Sequence, residues 1–524
     1  MQGSLRRVVA WVERPRAVVV MAALTLLVRL LGLLQPIRSD EAGFLLVAKN
    51  WQPGDPLGST LVHSVYGPYF VDRPPQVIAF FGLTDLIGGP LFVRVVGAVA
   101  CAVVVLLAAH GGRLVVSDEQ AGRRAGGWAA LLAAATLTTP AIDVVGVKGE
   151  VLGIPLVLGG ALLAVHALRT ASWQRGVALA LASGLCGSLA VGFKQNLAGG
   201  LVFAGVLVLV AFATRRLTLP RASGLTTGLI VGAAVPVAVT WGWALVNGVD
   251  LHALWYAAVG FRGDASQVLA DSSSTAPLER AAVLAGVALA SGLVLVVGGF
   301  VVHAPDEWRD DPPLTAAVAA MLAVDTTGLV LSGSYWRDYL FALLPSAVLA
   351  CALLARRRPS KRGRAMRTMV GLGVVSSLVS LAGWAGLQLA GIQPFPESDT
   401  ANALRDASQP GDTLVVYGGH AEIQQMSGLP SPYPYLWTLP MRVLDPDRDQ
   451  LIGLLSSSRR PTWFVGWIPL SSWDPAIGTR LEAVLARYYE PRGTACDGHP
   501  VWVVRGLDRP EIDPVCSGNA DLGS

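Results

Sequence analysis

The sequence predicts a polytopic α-helical membrane protein that ends in a soluble α/β domain. Three observations carry this expectation. The chain of 524 residues is 53% hydrophobic and only 15% charged, with mean hydropathy +0.52, whereas a soluble globular chain carries about 25% charge. Apolar runs of about 18 residues or more, long enough to cross a bilayer as helices, recur between residues 17 and 391. Beyond residue 392 the composition becomes that of a folded soluble domain. This composition argues against an ordinary cytosolic enzyme and excludes disorder over most of the chain. The net charge of +4 arises mainly from short arginine clusters between apolar runs. That pattern reports membrane orientation and not a nucleic-acid surface.

About eleven spans are expected, near residues 17–35, 93–112, 125–141, 151–168, 177–193, 196–213, 223–246, 280–302, 314–332, 338–355 and 368–391. The third and fifth are the shortest and rest on the weakest signal. The positive-inside rule tests the count. With the N-terminus inside, the inside segments hold Arg6, Arg7, Arg14 and Arg16; Arg113, Arg123 and Arg124; Arg169 and Arg175; Arg215, Arg216 and Arg221; and Arg309. The last inside segment holds Arg356, Arg357, Arg358, Lys361, Arg362, Arg364 and Arg367. The outside connections are much poorer in Arg and Lys, and the C-terminus falls outside. The first apolar run has no good small-residue cleavage site and is expected to stay as an anchor. This divides the chain into a membrane part, 1–392, which includes an outer loop at 36–92, and an outer α/β domain, 393–524.

The outer loop carries Trp51, His63, Tyr66 and Tyr69, then a stretch from Pro74 to Ile87 that reads as an interfacial helix. In the tail, residues 412–419 (DTLVVYGG) and 461–468 (PTWFVGWI) have the make-up of buried strands. ALRDAS and RLEAVLARYY read as helices. Cys496 and Cys516 are the only cysteines of the tail. On the outer side a bridge between them persists, closing a loop of about twenty residues.

The chemistry-bearing residues gather near the outer ends of the spans. RSDEAGFLLVAKNW, residues 38–51, follows the first span directly. Ser39 or Asp40 is placed to cap a helix, and Asp40 and Glu41 suit its positive end. Read blandly, the two acids do no more than that. YGPYFVDRPPQ, residues 66–76, sets Asp72 and Arg73 before two prolines, which stiffen the turn. DVVGVKGEVLG holds Lys148 and Glu150, GFKQN holds Lys194, the loop 248–279 holds His252 and Arg262, and SGSYWRDYLFALLP holds Arg337. Lysine occurs only at 49, 148, 194 and 361. A compact ammonium suits a phosphate oxygen, and ionisable groups at membrane depth are functional suspects.

In this order and topology the elements resemble the GT-C superfamily of membrane glycosyltransferases, in its aminoarabinose transferase and protein O-mannosyltransferase branch. The resemblance rests on DEAGFLLVAKNW, YGPYFVDRPP, VRVVGAVACAVVVLLAAHGGRL, GLCGSLAVGFKQN and YWRDYLFALLP, and covers nearly the whole chain. It implies a GT-C-like fold and transfer of a sugar from a polyprenyl-phosphate carrier to an acceptor outside the cytoplasm. The acceptor is a cell-envelope glycan, a lipid or a protein. Asp40 matches the catalytic carboxylate, with Glu41 in reserve. Asp72 and Arg73 match an element linked to metal or donor-phosphate contacts. The chain departs from the commonest pattern at Gly43 and Phe44, where many members carry a polar residue and a tyrosine.

The resemblance and the residues together assign roles. Asp40 takes the acceptor's proton; Arg73, Lys148 and Lys194 hold the donor phosphate. Tyr66, Tyr69, Glu150, Arg262 and Arg337 contact substrate. A divalent metal is left open, with Asp72 and His252 as candidate ligands. The implied partners are the lipid-linked sugar, the bilayer and the acceptor; the implied sugars are mannose or arabinose. The implied site is a bacterial plasma membrane, given the high-GC character of an Arg-for-Lys, Ala-rich composition. The competing class is a transporter or lipid flippase, which Asp325 and Arg29 within spans would suit.

Overall fold

The computed structural model describes residues 7, 9–57, 64–116, 118–270, 275–356, 361–392 and 395–516. Arg6, His63, Arg357 and Arg358 lie outside them. Contacts divide the chain into two compact units. The first comprises residues 1–34, 91–241 and 274–383; the second comprises 35–90, 242–273 and 384–524.

The first unit is a helical bundle. Each of the eleven expected segments is helical, but among the described residues only eight helices are long and apolar enough to span a membrane, or nine if one bent pair counts as a span. Helix Gly199–Ala213 is too short at 15 residues. Helix Glu119–Leu137 opens with Glu119, Arg123 and Arg124, which dilute its apolar run. The expected span 280–302 is two helices, Ala276–Ala290 and Leu293–Asp310, bent by 71° at Gly292. The short run at 177–193 is a full span, Trp173–Phe193. With these helices the chain is a multi-pass membrane protein.

Helix Leu340–Ala355 is the core of this bundle, with every residue buried. It is apolar all round, as a helix surrounded by others must be, and it packs on helices Glu119–Leu137, Leu293–Asp310, Pro312–Val330 and Gly149–Arg169. Helices Gly149–Arg169 and Trp173–Phe193 form a close antiparallel pair. Gly160 faces the backbone of Ser183 in this pair, a small-residue contact that suits membrane helices.

The second unit joins both long connections to the tail. Its sheet runs β1 (Leu414–Tyr417), β2 (Trp463–Gly466), β4 (Pro500–Val504), β3 (Tyr489–Thr494). β1 and β2 are parallel, with Leu414 opposite Trp463; β4 is antiparallel to both β2 and β3. The parallel pair requires a crossover, made by helices Ala421–Ser427, Thr438–Leu444 and Asp449–Ser456. β1 and β2 are buried at every position, as strands covered on both faces should be. A disulfide joins Cys496 to Cys516. The loop before helix Pro75–Ile87 packs on the tail: Phe70 bridges Tyr435, and its N–H donates to the Pro434 carbonyl at 3.0 Å.

Candidate active site

The site in the second unit is built on helix Ser39–Lys49. Its N-cap is Arg38, so Ser39 and Asp40, expected as caps, lie inside the first turn. The capping group is Glu41, whose carboxylate accepts from the Arg38 backbone N–H at 3.1 Å. That is the reaching-back half of a capping box. Glu41 is buried at 1% exposure. The bland reading of the acid pair therefore fits Glu41, while the half-buried Asp40 is turned to another partner. Its Oδ1 accepts from the indole N–H of Trp437 at 3.1 Å.

Trp437 stands just before helix Thr438–Leu444. Its ring lies so close to Gly43 that any Cβ there would overlap it. Its centroid is 5.8 Å from that of Phe44. Gly43 and Asp40 are three residues apart, on one helix face, and the indole covers both. The departure at Gly43 thus has a steric cause: the tail occupies the space a side chain would fill.

Asp72 and Arg73 precede helix Pro75–Ile87. Arg73 pairs with Asp72 at 2.8 Å, and Arg262 pairs with the other oxygen of the same carboxylate. Arg262 lies on helix Phe261–Ala270, which Phe70 meets through Phe261 at 5.1 Å between centroids. Arg442 of the tail ties this helix by donating to the Val268 carbonyl at 3.3 Å. The Arg73 guanidinium lies 5.8 Å from the Phe44 ring centroid. Phe44 is one turn beyond Asp40, so Arg73 is brought to the face that carries Asp40. Two guanidiniums, either of which suits an anion, thus converge on one carboxylate.

The two tyrosines expected to contact substrate bond through their hydroxyls to the backbone. Tyr66 donates to the Arg73 carbonyl, which fixes the turn that aims Arg73. Tyr69 donates to the Ser431 carbonyl and accepts from the Ser431 N–H. Burial pushes both phenols above their ordinary range.

The first unit holds Lys148, Glu150, Lys194 and Arg337. Lys148 pairs with Asp338 at 3.2 Å. Lys194 pairs with Glu150 and lies 4.0 Å from the Tyr339 ring centroid. Glu150 is 1% exposed. These are paired cations, so the phosphate roles expected of Lys148 and Lys194 meet competition from carboxylates. Arg337 is exposed, while its neighbours Asp338 and Tyr339 turn inward. Arg29 does not snorkel: it donates to the carbonyls of Asp143 at 2.7 Å and Gly146 at 2.9 Å, and so shapes the turn before Lys148. Asp325 accepts from Ser346 at 2.7 Å, a buried bond between two helices. Neither then stands as the bare midplane charge that suits a transporter.

No protein-family model matches the chain, and no curated protein is similar enough in sequence to count as a relative. Solved structures do match. ArnT from Cupriavidus metallidurans bound to undecaprenyl phosphate aligns over 94% of this chain and 99% of its own, with 14% identity and a TM-score of 0.62. Apo ArnT aligns with a TM-score of 0.60 and 14% identity, over 93% of this chain and 97% of its own. The oligosaccharyltransferase of Archaeoglobus fulgidus, in complex with zinc and sulfate, aligns over 94% of this chain and 73% of its own, with 12% identity and a TM-score of 0.51.

The fold is that of the GT-C glycosyltransferases.

Neither metal candidate named from sequence, Asp72 or His252, belongs to a group of three or more ligand atoms spaced to hold an ion among the described residues. Asp72 already carries two guanidiniums, so a further cation there would meet their repulsion. His252 is exposed on the short helix Leu251–Trp255. Among the described residues, the group spaced to hold an ion is Glu397, His420 and Glu422, which contains neither. Sequence reasoning also missed Trp437, Asp338 and Tyr339. Asp338 and Tyr339 carried a signal, since they adjoin Arg337 in a polar break before an apolar run. Trp437 carried none of its own; the only trace was the unusual glycine at 43.

Proposed function

We propose that the protein transfers a sugar from a polyprenyl-phosphate carrier to an acceptor at the outer face of a bacterial plasma membrane, with inversion. The observation that carries this is the division of labour between Asp40 and Glu41. Glu41 is buried and spent on the helix cap, whereas Asp40 is half-buried and held by Trp437. Asp40 is then the base. The acceptor hydroxyl attacks the anomeric carbon and its proton passes to Asp40. The bond from that carbon to the phosphate oxygen breaks, and its electron pair leaves with the lipid phosphate. Arg73 and Arg262 stabilise the charge that collects there, Arg73 with a fork that matches phosphate. The fold supports the reading, because ArnT, which shares it, was solved bound to undecaprenyl phosphate. The N-terminus is inside and the tail outside, following the arginine distribution. The tail helps select the acceptor, since it lies against the loop that carries Asp72.

The test is an assay on membranes holding the protein, with a panel of labelled polyprenyl-phosphate sugars that includes mannose and pentose donors. The expected result is release of lipid phosphate matched by product of opposite anomeric configuration. No release from any donor overturns the reading; retained configuration overturns the single displacement.

A further inference from the structure

Three ionisable side chains that the proposed reaction does not use converge in the second unit. Glu397 lies in the first turn of helix Pro396–Ala407. His420 follows β1 across Gly418 and Gly419, both in the left-handed region at φ 115° and 76°, where glycine bends the chain without strain. Glu422 opens helix Ala421–Ser427. The His420 Nδ1 is 3.1 Å from the Glu422 carboxylate and 3.5 Å from that of Glu397. One ligand atom from each residue lies within 4.8 Å of the others.

A ring nitrogen carries at most one hydrogen, so His420 Nδ1 can satisfy one of these carboxylates in full and not both. Glu422 is 7% exposed, and its Oε2 is buried with no hydrogen-bond partner among the described residues. An unmatched buried carboxylate oxygen is costly. A metal ion differs from a proton in offering several bonding directions at once.

We propose that Glu397, His420 and Glu422 form a divalent-cation site for Zn²⁺ or Mn²⁺. The donor set of one imidazole nitrogen and two carboxylates suits either ion and lacks the thiolates that select softer metals. In a tetrahedral site, arms of about 2.0–2.2 Å place neighbouring ligand atoms about 3.3–3.6 Å apart. The two edges at His420, 3.1 and 3.5 Å, are close to that spacing. Water completes the shell. The ion would pin helix Pro396–Ala407 to helix Ala421–Ser427. The latter packs against helix Ser39–Lys49, which carries Asp40. The site is thus a clamp within this unit, and it stands whether or not the sugar-transfer reading holds.

The test uses the full chain, purified in detergent without a polyhistidine tag and stripped with a chelator. Zn²⁺ and Mn²⁺ are titrated by calorimetry, and Co²⁺ is followed by visible absorption. The expected result is one ion per chain, a Co²⁺ spectrum that includes nitrogen ligation, and a higher melting temperature with metal. Glu397→Gln, nearly isosteric and half-buried, should weaken binding at least about 10-fold while the stripped protein melts as before. His420→Ala should abolish it. No binding of either ion by the folded, stripped protein at millimolar concentration overturns the site, leaving a histidine shared between two acids. Binding kept by the Glu397→Gln, His420→Ala double variant also overturns it.

Discussion

The Trp437 indole N–H reaches the Asp40 carboxylate at 3.1 Å across a sequence separation of 397 residues. The contact makes a tail residue part of the setting of the membrane-border acid. Trp437→Phe keeps most of the packing on Gly43 and Phe44 but loses the donor. Turnover should fall about 10-fold or more, the equivalent of one hydrogen bond to a charged group, with donor binding unchanged. Gly43→Ala should act in the same direction by displacing the ring. Steady-state assays of both variants check this. Unchanged turnover in Trp437→Phe would free Asp40 from the tail.

The two adjacent acids should separate cleanly. Asp40→Asn should keep the fold and donor binding yet lose at least about 10²-fold in turnover. Glu41→Ala should instead cost about 0.5–2 kcal/mol of stability through the lost cap, with turnover of the surviving folded protein largely kept. Melting curves and assays on the same preparations decide it. The reverse pattern would reassign the base to Glu41.

Arg73→Lys keeps the charge and loses the fork. The expected result is weaker binding of the lipid-linked donor and slower transfer, measured with one labelled donor. Arg262→Gln should weaken donor binding as well, because it removes the second guanidinium on Asp72. If neither substitution alters donor affinity, the phosphate is held elsewhere.

Lys194→Met strands the buried Glu150. Breaking a buried pair from one side costs about 3–5 kcal/mol. The double change Lys194→Met with Glu150→Gln should recover much of that loss. Thermal unfolding of the three proteins measures it; an equal loss in the double variant would show that packing and not charge is at stake.

The tail should also show one assignable pH response. Burial tends to raise the Asp412 carboxyl, but the Arg509 fork, with both N–H···O distances at 2.8 Å, outweighs it and holds the carboxyl below its ordinary value. A carboxyl lowered on folding contributes stability that is present above its unfolded value of about 3.9. That stability is lost as pH falls through the folded value. Arg509→Gln should therefore lower the melting temperature at neutral pH and have little effect in strong acid. A deficit that stays constant into strong acid would remove the ion pair as its cause.

The fold was legible because it is written in local signals. Apolar runs mark the helices, and the alternation of DTLVVYGG and PTWFVGWI with helical segments marks the sheet. Where spans were misjudged, the cause is physical. Charges at the start of Glu119–Leu137 and a left-handed glycine at 292 are local features that a hydropathy run averages away. Site partners were less legible because pairing is not local. Asp40 could be singled out from its position after the first span, but nothing near Trp437 announces a carboxylate as its acceptor. For Tyr66 and Tyr69 the sequence shows an aromatic hydroxyl in a polar loop, but not the distant backbone carbonyl to which each one points.

The span between Asp40 and Trp437 also sets a schedule. A chain is made from its N-terminus at about 5–20 residues per second, so Trp437, 397 positions after Asp40, follows it by roughly 20–80 s. Throughout that interval the acid has been made but the indole that covers Gly43 has not. The nascent protein is therefore born with this helix face bare, and the face is covered only once residue 437 has been added.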